Sequence, residues 1–273
     1  TLFRSVAGGL AGLYYGYDAI PQEWLSLLAG KEIIEDCVQG LERYCMEHHL
    51  MPEASPHNLD AIRRADRWSQ WNTALDQKAT VKNKDKFLGC FIGGAAGDAL
   101  GYAAEFLSED EIVSRYGKEG ITEYHLQDGL ARISDDTQMT LFTANGLLVG
   151  QTRGCLRGIM APYSDYVAQA YQEWYKTQVS NFPATENFHT CWLLHVPGLY
   201  VRRAPGATCM GAIAGGASGS IERPINNSKG CGGVMRVAPV GLYLGSSWMA
   251  GLAADLVAAD VAALTHGHEL GYR

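Results

Sequence analysis

The run Ile133-Ser134-Asp135-Asp136-Thr137-Gln138 places a hydroxyl and two adjacent carboxylates where the apolar spacing that follows predicts the first turn of a helix. Two readings fit these residue types. Ser134 can be an N-cap, with Asp135 and Asp136 complementing the positive end of the helix dipole. Alternatively the oxygens are ligands for a hard cation such as Mg²⁺ or Mn²⁺, which takes carboxylate, hydroxyl, carbonyl and water oxygens. Neighbouring acids repel each other unless a cation or a field offsets them.

The company this run keeps favours the second reading. Upstream, Gly93-Gly94-Ala95-Ala96-Gly97-Asp98-Ala99-Leu100-Gly101 lies in an apolar stretch that starts at Phe87 and closes with Glu105. Each of these glycines would weaken a helix by up to about 1 kcal/mol against alanine, so a close approach of another backbone or of a ligand must favour them. Asp98 and Glu105 stand seven positions apart and share a face if the helix continues that far. One carboxylate could then serve a metal and the other the chemistry. Downstream, Ser228-Lys229-Gly230-Cys231-Gly232-Gly233-Val234-Met235-Arg236 is a glycine-rich loop before an apolar segment, whose backbone N–H groups would suit a phosphate or diphosphate. It has neither the Walker lysine pattern nor a dinucleotide fingerprint after a strand.

Taken in order, Gly97-Asp98-Ala99-Leu100-Gly101 with Glu105, Ser134-Asp135-Asp136-Thr137, Lys229-Gly230-Cys231-Gly232-Gly233-Val234-Met235-Arg236 and Leu264-Thr265-His266-Gly267-His268 resemble the ADP-ribosylglycohydrolase family. The resemblance implies an all-α fold, an orthogonal multi-helix bundle, with a centre of two Mg²⁺ ions (Mn²⁺ possible in their place). It implies hydrolysis of the glycosidic bond between ADP-ribose and a protein side chain or small acceptor. By position it makes Ser134, Asp135 and Asp136 metal ligands, and Glu105 and Asp98 the catalytic acids. Gly97, Gly232, Gly233, Met235, Arg236 and His266 would then bind the substrate.

The first fifty residues resemble the same family, but its C-terminal end: Val6-Ala7-Gly8-Gly9-Leu10-Ala11-Gly12-Leu13-Tyr14-Tyr15-Gly16, then Ile20-Pro21-Gln22-Glu23-Trp24-Leu25. Family members carry an Asp-x-Asp-Thr ligand cluster just before that helix, and here Thr1 stands where its last residue would be, as a further metal ligand. The expected organisation is therefore a C-terminal-type segment over 1–50, a linker over 51–83 and an N-terminal portion over 84–273, incomplete or permuted. A junction between tandem copies is favoured over a permutant, because 51–83 carries Pro52, Pro56, many charges and little regular apolar spacing. Without the aspartate pair the chain as given is expected to be an impaired hydrolase. The alternatives are an ADP-ribose-binding module without turnover, or a structural protein that kept the fold, as lens crystallins resembling this family did.

Composition agrees with a cytoplasmic globular enzyme: 273 residues, 47% hydrophobic, are enough to bury a large core. The seven cysteines form no CxxC pair or zinc spacing, so they read as reduced and mostly buried, with Cys231 near a ligand. No signal peptide or membrane-crossing run is visible, and Val6 to Gly16 reads as a core helix. A net charge of -7 argues against wrapping nucleic acid, and the doublets Arg63-Arg64 and Arg202-Arg203 read as solvated. The partner is thus an ADP-ribosylated protein or an ADP-ribose derivative. Helices are expected over 20–46, 86–105, 109–116, 135–149, 164–178, 207–215 and 247–265, with no long strict alternation. Tyr163, Tyr166, Tyr171, Trp174 and Tyr175 fall at helical spacing and read as packing residues rather than as a stacking platform.

Overall fold

The computed structural model describes residues 2–47, 84–159, 161–184, 190–245 and 254–272. Thr1 and the whole of the expected linker, 51–83, lie outside them. The described chain is helical with one minimal hairpin, as the all-α expectation requires. Its helices are α1 Leu2–Tyr15, α2 Gln22–Leu27, α3 Lys31–Glu47, α4 84–102, α5 Glu109–Tyr116, α6 Asp135–Arg157, α7 Tyr163–Val179, α8 Ala207–Ala214, α9 Ala238–Gly245 and α10 Ala254–Ala263.

Helix α6 is the axis of the molecule: most of its first half is buried, and α7 lies along it. The two approach closely because Gly146 and Gly150 have no side chain. A Cβ at Gly146 would come 2.9 Å from Val167 Cα, and one at Gly150 would come 2.6 Å from the Tyr166 ring. Tyr163, Tyr171 and Trp174 of α7 are buried in the core, so the packing role read from their spacing is what they perform. That core also holds Leu25, Leu28, Ile34, Cys37 and Val38 together with Phe91, Ile92 and Phe142, so residues from both halves of the sequence share it.

The glycines of α4 answer to another backbone. Helix α1 crosses α4 through its own glycines, and a Cβ would sit 1.7 Å from Gly89 O at Gly12, 2.1 Å from Gly93 O at Gly8, and 2.0 Å from Arg4 O at Gly97. Only glycine allows that separation. Consequently α1 is not the core helix its composition suggests: its small residues face α4, while Leu10, Tyr14 and Tyr15 stand 62%, 76% and 69% exposed. The far ends are tied as well, since Asp85 Oδ1 accepts from Tyr17 N at 2.8 Å and Lys86 Nζ donates to Tyr14 O.

Four further expectations are corrected. The stretch 20–46 is two helices, because Leu28-Ala29-Gly30 turns out of the helix, with Gly30 at φ +77° and Ala29 N donating to Ala131 O at 2.9 Å. Helix α4 stops at 102, after which i→i+3 bonds form turns through Leu107. Helix α6 runs to Arg157, where Gly158 closes it in the left-handed conformation. A hairpin of Leu126–Gln127 (β1) and Leu130–Ala131 (β2) is joined by Asp128 and Gly129, both at positive φ, the geometry an Asp-Gly pair favours. This hairpin and the bridge from Leu28 to Ala131 deliver the chain to the start of α6.

Candidate active site

Ser134 is the N-cap of α6: its side chain accepts from Asp136 N at 3.2 Å. A second cap comes from α4. Asp98, fully buried, uses Oδ2 to accept from Ser134 N at 2.8 Å, Thr137 N at 3.2 Å and Thr137 Oγ1 at 2.5 Å. The N–H groups of Ser134, Asp136 and Thr137 are thus served by Ser134 and Asp98. Asp135 and Asp136 are not needed as caps. As dipole-complementing surface acids they would lie in water, yet each is only 4% exposed.

The cost of that burial shows in their proton affinities. Burial, then the neighbouring Asp98 charge, pushes Asp135 up to about 7 and Asp136 up to about 8. Asp98 is raised too, chiefly by burial, against the lowering effect of its hydrogen bonds. The Glu105 charge contributes to the rise at both Asp135 and Asp136, so its carboxylate lies near them. It does so from the turn after α4, and the expectation that Asp98 and Glu105 share one helical face fails because the helix ends first. Asp98 Oδ1 and Asp136 Oδ2 are buried with no hydrogen-bond partner.

Those two orphaned oxygens are the test of whether a hard cation suits the site. The donors are all oxygen, and a cation would offset a repulsion that otherwise forces protons onto the acids. Among the described residues no three His, Cys, Asp or Glu side chains converge to cage a metal unaided. That is compatible with Mg²⁺, which binds through one or two carboxylates and keeps several waters.

A strap over 201–206 crosses the start of α6. Asp135 N donates to Arg203 O at 3.0 Å, Gly206 N to Asp135 Oδ2 at 3.4 Å, and Gln138 Nε2 to Val201 O at 3.1 Å. Gln138 is itself fixed by α7, since its Oε1 accepts from Trp174 Nε1 at 3.0 Å and Gln178 Nε2 at 3.1 Å. Ala204 is held at φ +51°, an uncommon conformation for alanine. Arg203 is half-buried beside Tyr102 and Asp98, which corrects its solvated reading, while Arg202 of the same doublet is exposed as expected. None of Tyr102, Gln138 and Arg203 carries a local sequence signal, because their contacts are long-range.

The glycine-rich loop closes the other side. Thr140 Oγ1 reaches Asp136 O at 2.7 Å and Met235 O at 3.4 Å, and the Cys231 thiol is raised by burial and by Asp136. A Cβ on Gly232 would stand 2.8 Å from Cys209 Sγ and 3.0 Å from the His266 ring, so loop and imidazole are in close contact. A cavity of about 440 Å³ opens next to this loop, lined by Ala207, Thr208, Asn226 and Ser228 among others; the strap residue Gly206 joins it to Asp135.

Four residues expected to bind substrate pack against the rest of the fold. Gly97 faces α1, and Gly233 packs on Gly271 O and Ala262. Met235 belongs to the core, and Arg236 is fully buried. None of the four lines the cavity. Gly232 lies against the His266 ring, and the buried acids Asp135 and Asp136 meet this side of the molecule through Thr140, whose Oγ1 reaches Asp136 O and Met235 O.

Comparison with known proteins adds three findings. No solved structure matches the chain. Over 67 residues it is 40% identical to the ADP-ribosyl-[dinitrogen reductase] glycohydrolase of Rhodospirillum rubrum, an alignment covering 23% of this chain and 22% of that protein. The matched stretch is thus about a fifth of the curated relative's length. A family model described as ADP-ribosylglycohydrolase matches residues 5–52 and 79–273. With the glycine-rich helix, the buried acids and the glycine-rich loop all inside the matched residues, the chain belongs to the ADP-ribosylglycohydrolase family.

Proposed function

We propose that this chain carries a divalent-cation site for hydrolysis of the glycosidic bond of an ADP-ribose conjugate. The observation that carries the proposal is a buried acid group whose Asp98 Oδ1 and Asp136 Oδ2 lack partners, facing a glycine-rich loop in a chain of this family. Ser134, Asp135 and Asp136 would hold Mg²⁺ or Mn²⁺, with two ions as the family resemblance implies. The bound cation would polarise the ribose hydroxyls and offset charge at the reacting sugar.

The remaining work falls to the chain itself. Asp98 fixes the first turn of α6 and so positions the Asp135 and Asp136 carboxylates that stand on it. Glu105 stands on the turn beyond α4, opposite those acids, and is placed to orient a water or to move a proton at the scissile bond. The backbone of the glycine-rich loop would lie along the diphosphate, and the strap over 201–206 keeps water from the inner side of Asp135.

Calorimetric titration with ADP-ribose tests this. Heat is expected with Mg²⁺ present and a much weaker signal after chelation. Absence of heat under both conditions would remove the reading; equal heats would remove the cation from it.

A further inference from the structure

Arg236 is a cation in the wrong place for a simple core. It is fully buried, and none of the ion pairs among the described residues involves it. Its Nη2 donates to Thr265 Oγ1 at 2.7 Å and to Val261 O at 3.4 Å, its Nη1 faces Met139 Sδ and Cys209 Sγ, and its guanidinium lies 4.4 Å over the Tyr171 ring. Tyr171 is anchored in turn by Thr143 at 2.6 Å. Burying an unpaired guanidinium costs more than an apolar side chain of similar volume, so its retention calls for a role beyond packing.

That role follows from counting protons. A guanidinium only donates, so Arg236 occupies one lone pair of Thr265 Oγ1. The same oxygen lies 2.8 Å from His266 Nδ1. A proton on Nδ1 would aim a second donor at that oxygen and turn the ring's positive edge toward the guanidinium. A bare Nδ1 instead accepts the Thr265 hydroxyl proton and turns a lone pair toward the cation. The second arrangement is favoured by both the hydrogen-bond count and the field. The imidazole proton then sits on Nε2, which makes no hydrogen bond among the described residues and lies 3.2 Å from where a Cβ on Gly230 would stand. Burial and Arg236 also push the imidazole down to about 4, against a second proton.

We infer that Arg236 and Thr265 are positioning residues that hold His266 as the Nε2–H tautomer, so that the ring presents an uncharged donor to a ligand oxygen lying along the glycine-rich loop. That the oxygen belongs to ADP-ribose rests on the function proposed above. An uncharged donor keeps its proton and its direction across the working pH range, where an imidazolium would exchange both.

The tautomer is read directly from long-range ¹H–¹⁵N correlations of the whole protein labelled at histidine, with His266 assigned by its loss in His266→Gln. The expected spectrum at neutral pH shows Nε2 protonated and Nδ1 bare. A protonated Nδ1, or a doubly protonated ring, would overturn the inference whatever the substrate is. Thr265→Val is expected to mix the tautomers and weaken ADP-ribose binding about tenfold, the scale of one lost hydrogen bond, and Thr265→Ser to restore both. If the wild-type protein binds no ADP-ribose, the proposed function fails while the wild-type tautomer still decides whether Arg236 and Thr265 position His266.

Discussion

Replacing Asp135 and Asp136 together with asparagine is expected to abolish Mn²⁺ binding and, in chelator-treated protein, to weaken the fall of stability with pH near neutrality. Both effects follow from the same burial. The two carboxyls hold their protons up to about 7 and about 8 in the folded chain, against an ordinary value of 3.8. Between those limits the folded state binds more protons than the unfolded state, so stability falls as pH rises. The stabilisation is fully present below 3.8 and is lost by about pH 8. Asparagine cannot ionise, so above pH 6.5, where the lowered His266 no longer contributes, the variant's urea midpoint should fall less steeply than the wild type's, with the raised Asp98 still contributing. Added Mn²⁺ should recover the wild type at pH 8 and leave the variant unchanged. A flat wild-type profile, or an unaltered Mn²⁺ affinity in the variant, would refute the reading of these acids.

The second large effect is expected at Glu105. Glu105→Gln keeps the side chain's size and its hydrogen-bonding reach but removes the exchangeable proton. Turnover of an ADP-ribosylated peptide should drop roughly 10²-fold or more, the range for a positioned acid or base, with ADP-ribose affinity nearly kept. A comparable loss in both quantities would make Glu105 a ligand-holding or structural residue.

How much of this was legible before folding differs from residue to residue. The helical class followed from apolar spacing, and the start of α6 from Ser134 and the acids behind it. The glycines of α4 announced a close approach, but its partner was invisible: α1 lies far upstream, and nothing local says that Gly12 meets Gly89. The same limit hid the Asp98 cap, which joins residues 36 and 39 apart in sequence. A pattern of residue types also could not tell a ligand-facing arginine from a buried one. Arg236 sits in the expected motif, yet its guanidinium is turned into the core by Tyr171 and Thr265. Two short elements had readable signals that apolar periodicity masked: the Asp128-Gly129 turn, and Pro239 in the first turn of α9. Among the described residues no helix is long and apolar enough to cross a membrane.

The central claim is that the buried acids at the start of α6 serve cation-dependent release of ADP-ribose. The most direct measurement is the release of ADP-ribose from an ADP-ribosylated peptide by this chain, with Mg²⁺ and then with excess chelator. Release that requires Mg²⁺ and returns when the ion is restored is the predicted result. Release that continues undiminished under chelation, or none at all from a protein that binds ADP-ribose and Mg²⁺, would contradict it.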